Sequence, residues 1–129
     1  MEKSKTPTKI NAPFKISGKV IQGKLEGRKL GFPTANIYLE KEIPSGIYAG
    51  LAILNGKIYQ TAIYIRRNQK VLESHLLNFS GDIYGQILTV KVEKKIREDK
   101  RFNSEKDLLN AIEKDIQALK NFYHKARLG

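Results

Sequence analysis

Asn55-Gly56 stands between two runs of β-forming residues, 47–54 (Ile-Tyr-Ala-Gly-Leu-Ala-Ile-Leu) and 58–65 (Ile-Tyr-Gln-Thr-Ala-Ile-Tyr-Ile). Both turn residues tolerate the positive φ of a type I′ turn, so the segment predicts a tight antiparallel hairpin. Residues 14–21 alternate in strand fashion, with Phe14, Ile16 and Val20 on one parity. A further turn near Arg67-Asn68-Gln69 leads into a run at 71–79, and Gly81-Asp82 separates that run from another at 83–96. Six or so strands with short connections imply an antiparallel sheet, and closing it into a barrel would remove its exposed edges.

After residue 100 the period changes. Ser104 is placed to cap a helix, with Asp107 at the reciprocal position. Leu108, Leu109, Ile112, Ile116, Leu119, Phe122 and Tyr123 follow at three- and four-residue steps and draw one apolar stripe. The spacing predicts one helix over about 105–124, packed on the barrel. Residues 1–13 hold lysines, threonines and prolines with little apolar content, and read as a flexible arm or linker remnant. Residues 14–129 then form one domain, a size that buries a single core.

The sequence has no cysteine, which excludes disulfides and thiol chemistry. The longest uncharged apolar run, 47–54, falls well short of the roughly 20 residues that a bilayer-spanning helix needs. With a polar amino-terminal stretch as well, the expected location is cytoplasmic, away from the membrane. The formal net charge of +11 implies attraction to anions: nucleic acid, an anionic surface or the phosphates of a nucleotide. The basic residues are scattered, with no run longer than two.

Three segments carry candidate chemistry. Residues 23–31 contain three glycines with Arg28 and Lys29, so backbone amides and positive charge are available to phosphate oxygens. A solvated loop reads the same way, and a Walker loop is excluded by the missing Gly-Lys-Ser/Thr ending. In Pro33-Thr34-Ala35-Asn36 the hydroxyl and amide lie two residues apart, on one side of an extended chain. That pair would suit Mg²⁺, which takes oxygen ligands and keeps substrate phosphates in its shell; it equally suits the start of a strand, with local hydrogen bonds. Glu73 stands in the strand-like run Val71-Leu72-Glu73-Ser74-His75-Leu76-Leu77, on a parity of mostly apolar residues. A carboxylate there is either paired with one of the 24 lysines and arginines or placed to accept a proton from a substrate hydroxyl. His75 reads as a core or surface histidine. Arg97, Lys100 and Phe102 leave the last strand together, a cation-and-aromatic set that fits either a charged loop or the rim of a flat ligand's site.

Taken in order, these segments resemble the riboflavin kinase (flavokinase) family, found alone or as the carboxy-terminal module of bacterial bifunctional FAD synthetases. The resemblance runs from about Ser17 to Leu119. It rests on Gly18-Lys19-Val20-Ile21-Gln22-Gly23, on Gly27 through Gly31-Phe32-Pro33-Thr34-Ala35-Asn36, and on Gly46-Ile47-Tyr48-Ala49. Glu73-Ser74-His75-Leu76-Leu77-Asn78-Phe79, Gly81-Asp82-Ile83-Tyr84-Gly85, Ile96-Arg97 and Phe102-Asn103-Ser104 complete it.

The resemblance implies a mainly β fold, a six-stranded antiparallel Greek-key barrel with one carboxy-terminal helix. It implies phosphorylation of the ribityl 5′-hydroxyl of riboflavin by MgATP, giving FMN and ADP. By motif, Glu73 would be the general base, and Thr34 and Asn36 would hold Mg²⁺ and phosphate oxygens. Gly23 and Arg28 would cover the nucleotide, with Thr34, Leu76, Asn78 and Tyr84 in its pocket, while Arg97, Lys100 and Phe102 would border the flavin. An adenylyltransferase domain would be a partner in a longer chain. One departure stands out: many relatives carry a longer connection before the catalytic strand, with a Gly-x-x-Pro-Thr-Phe-like stretch. Here residues 62–71 form a bare hairpin, implying a thinner wall of the ligand site. The alternatives are a flavin- or nucleotide-binding module without turnover and, ranked below it, a basic barrel that binds single-stranded nucleic acid on Tyr48, Tyr59 and Tyr64.

Overall fold

In the computed structural model, which describes residues 12–22 and 31–128, Asn55 and Gly56 take φ values of 50° and 80° and close the predicted hairpin. The strands are β1 (Phe14–Ile21), β2 (Ala35–Tyr38), β3 (Gly46–Leu54), β4 (Lys57–Ile65), β5 (Val71–Leu76) and β6 (Ile87–Arg97), followed by helix α1 (Glu105–Leu128). They form a closed barrel in the order β1-β2-β5-β4-β3-β6, with every pairing antiparallel. β2 pairs with β5 rather than β3, which is the Greek-key crossing, and β1 pairs with β6 to remove the last edge.

Alternation sorts the side chains. Ile37, Ile63, Ile65, Leu72, Leu88, Val90 and Val92 fill the barrel. Thr61 and Ser74, both fully buried, share a hydroxyl–hydroxyl bond of 2.5 Å, and Thr61 also donates to the His75 carbonyl at 2.9 Å, so neither polar group is left unpaired. A second apolar cluster lies outside the barrel wall: Ile47, Ala49, Ala62 and Tyr64 with Leu119 of α1, flanked by Phe122 and Tyr123. Gly50 sits at the β3–β6 bulge, where a Cβ would come within 2.6 Å of Ile63 Cδ1.

Ser104 caps α1 by accepting the Asp107 amide at 3.1 Å. The helix runs to Leu128, past the end that the apolar stripe predicts, because Lys125 and Ala126 favour helix without needing a buried face. The run at 71–79 is strand only to Leu76, since Asn78 turns the chain at φ 58°. β6 begins at Ile87 rather than 83, because Asp82 to Gly85 form a turn, with the Tyr84 amide bonded to Asp82 Oδ1 at 2.9 Å. Among the described residues, no helix is long and apolar enough to cross a membrane.

Candidate active site

β2 and β5 pair so that Asn36 stands directly opposite Glu73, and β5 and β4 pair so that Tyr64 stands opposite Glu73 from the other side. Ile47 faces Tyr64, and Arg97 faces Ile47. Directly opposed residues project from the same face, so Asn36, Glu73, Tyr64, Ile47 and Arg97 form one row across the outer wall. The parity around Glu73 therefore lies on the outer wall, the face on which α1 packs further along, over β3 and β4, and not in the barrel interior.

Glu73 is held from two sides. Thr34 Oγ1 donates to its Oε1 in a long hydrogen bond of 3.5 Å, and Arg66 Nε donates to Oε2 at 3.1 Å. The acid is thus paired, with Arg66. Thr34 is steadied by the segment before β2: His75 Nδ1 lies 2.8 Å from the Pro33 carbonyl, and the Phe32 ring meets the His75 ring edge-on at 5.4 Å.

On one side of Glu73 a hollow of about 230 Å³ opens at the end of the barrel. Thr34, Asn36, Leu76 and Tyr84 line it, with the Gly81–Tyr84 turn as its lip. Tyr84 is largely exposed there. Asn78 is not in this hollow; it lines an adjoining open groove between the end of β5 and α1, together with His75, Leu77 and Gln117. On the other side of Glu73 lies a groove between the β4–β5 connection and the start of α1, lined by Arg66, Lys100 and Phe102. Glu73 itself lines neither; it reaches the hollow through Thr34 and the groove through Arg66. Gly23 and Arg28 lie outside the described residues.

Arg97 does not line that groove. Its Nε and Nη2 each donate at 2.8 Å to the two oxygens of buried Asp115, a bidentate pair that ties β6 to α1. This bond raises the Arg97 pKa further above its ordinary value. From there Arg97 stacks over the Phe102 ring at 5.6 Å, with Lys100 over the same ring at 5.5 Å. Tyr64, next in the row to Glu73, has a buried hydroxyl with no hydrogen-bond partner among the described residues. Burial first, and then the negative charge of Asp115, push its pKa well up. Sequence reasoning does not single out Arg66, and it names Tyr64 only as a nucleic-acid stacking platform, a role that its burial at 8% exposure removes. The signal was available for Arg66, because a hairpin that pairs Tyr64 with Glu73 brings residue 66 back toward the acid.

A closed antiparallel barrel with a carboxylate between an oxygen-lined hollow and a cationic, aromatic groove defines a small β-barrel with a candidate ligand site. Residues 10–123 match the Flavokinase family, described as riboflavin kinase, and the chain belongs to that family. It is 38% identical over 127 residues to a bifunctional riboflavin kinase/FMN adenylyltransferase of Buchnera aphidicola subsp. Schizaphis graminum, covering 89% of this chain and 40% of that protein. It is 34% identical over 130 residues to the protein of the same description from Bacillus subtilis, covering 92% of this chain and 41% of that one. The chain therefore spans about 40% of the length of these relatives. Among solved structures it resembles riboflavin kinase from Trypanosoma brucei, with a TM-score of 0.70 and 26% identity over 88% of this chain and 79% of that one.

Proposed function

We propose that the chain transfers the γ-phosphoryl group of ATP to the ribityl 5′-hydroxyl of riboflavin, giving FMN and ADP. The observation that carries this reading is the position of Glu73, with Thr34 on its Oε1 and Arg66 on its Oε2, between a hollow sized for phosphates and a groove edged by Phe102. The nucleotide's phosphates would enter the hollow and the flavin would lie along the groove. Glu73 accepts the proton of the 5′-hydroxyl as that oxygen bonds to the γ-phosphorus. The bond between the γ-phosphorus and the bridging oxygen breaks, and ADP leaves.

The donor set fits Mg²⁺. Thr34 and Asn36 supply neutral oxygens that line the hollow, and the described residues contain no cluster of three or more His, Cys, Asp or Glu that would form an all-protein cage. Such a set matches an ion that keeps phosphate oxygens and water in its shell. When bound, Mg²⁺ neutralises phosphate charge. Asn36, buried and in the row with Glu73, would fix the nucleotide relative to the base.

The bifunctional relatives are named for an adenylyltransferase as well, and such an activity in a longer chain would consume the FMN. The test is incubation with riboflavin and MgATP, with chromatographic detection of FMN. Formation of FMN supports the reading. Binding of both ligands without FMN would make the chain a binding module.

A further inference from the structure

Arg66 is left unexplained by proton transfer alone. It follows the last residue of β4, at the start of the short connection to β5. Its Nε is committed to Glu73, yet its side chain is 38% exposed and it lines the groove beside Lys100 and Phe102. One guanidinium therefore touches the acid that faces the acceptor hydroxyl and also looks into the groove.

We propose that Arg66 forms an acceptor-side phosphate site, which binds the phosphomonoester once it sits on the flavin's 5′-oxygen. This rests on the kinase reading above. A hydroxyl that donates to Glu73 lies one hydrogen bond from the carboxylate. Arg66 lies one hydrogen bond from the same carboxylate, on its other oxygen. A phosphoryl group added to that hydroxyl arrives within reach of the guanidinium. With Nε engaged, the two terminal nitrogens keep their N–H donors, in the planar arrangement that matches phosphate oxygens.

The charge of the groove agrees. Its lining carries Arg66, Arg67, Lys100 and Arg101 against Asp99 and Glu105, and Asp99 already accepts the Arg67 backbone amide at 3.2 Å. Riboflavin is neutral and makes no use of that excess; its phosphate ester does. Arg66 therefore discriminates product from substrate and slows release of the product.

The experiment is a fluorescence titration of the full chain, with MgADP present, using riboflavin and FMN as separate probes. The proteins are wild type, Arg66→Ala, Arg66→Lys and Glu73→Gln, each checked for folding by circular dichroism. Arg66→Ala is expected to weaken FMN binding about tenfold while riboflavin changes by less than about twofold, as loss of a charge-assisted hydrogen bond requires. Arg66→Lys, which keeps the charge, recovers most of that loss. Glu73→Gln removes the carboxylate's claim on the guanidinium and tightens FMN relative to riboflavin. Equal weakening of both ligands in Arg66→Ala, or unchanged FMN affinity, overturns the proposal. Because the titration reads binding without turnover, its outcome stands apart from that of the kinase assay: a wild type that forms no FMN defeats the kinase reading, and an unselective Arg66→Ala defeats the site.

Discussion

The Thr34 hydroxyl lies 3.5 Å from Oε1 of Glu73, although 39 residues separate them in the chain. The contact exists because β2 pairs with β5, which brings the segment just before β2 alongside the middle of β5. A carboxylate so placed meets Thr34, which lines the hollow, with one oxygen and Arg66 with the other.

Glu73→Gln keeps the shape and most hydrogen bonds but cannot take up a proton. FMN formation is expected to fall by about a hundredfold or more, the usual contribution of a general base. A thermal melt should stay close to wild type. An initial-rate assay within a few-fold of wild type would remove Glu73 from the role of base.

Thr34→Val preserves volume and deletes one oxygen that lines the hollow. The Mg²⁺ concentration needed for half-maximal FMN formation should rise by about tenfold, in line with the loss of one ligand to a charged partner. Riboflavin binding without nucleotide should not change. A Mg²⁺ titration that overlays wild type would rule Thr34 out as an ion or phosphate ligand.

Asp115→Ala strips the bidentate partner from Arg97 and leaves a cation against the barrel wall. Arg97 keeps partial access to water, so the loss should be about 2 kcal/mol rather than that of a fully buried pair. Urea denaturation measures it. A change below about 0.5 kcal/mol would mean that α1 is held by its apolar contacts with Leu119 alone.

Tyr64→Phe removes a buried hydroxyl that has no partner among the described residues. Deleting an unsatisfied polar group should leave stability equal to wild type or raise it by up to about 1 kcal/mol. Destabilisation of the Phe variant in the same urea experiment would show that the hydroxyl is bonded in solution.

Much of the fold was legible locally. Asn55-Gly56 specified its hairpin, because only residues tolerant of positive φ fit there. The three- and four-residue spacing from Leu108 to Tyr123 specified α1 and the face that packs on the wall. Element ends were less legible. Asn78 and the Asp82–Gly85 turn cut strands that the apolar pattern would have continued, since turn-forming residues overrode strand preference. The site was legible in its residues and not in its partners. Thr34, Asn36 and Glu73 stand out by type, but Glu73's cation was one of many, and Arg97 looked equally suited to a ligand's rim until Asp115 engaged its Nε and Nη2.

The chain's own order of residues determined the strands, the helix and the groups able to do chemistry, because backbone preference and side-chain type act over a few neighbours. Which of those groups meet was decided only by strand order and register. Pairing β2 with β5 aligned Asn36 with Glu73, and pairing β4 with β5 aligned Tyr64 with the same acid and returned Arg66 to it. A slip of one residue in either pairing would turn those side chains to opposite faces of the wall. The register of β2 on β5 depends on how the whole barrel closes around its apolar interior, so no local stretch of sequence encodes that pairing.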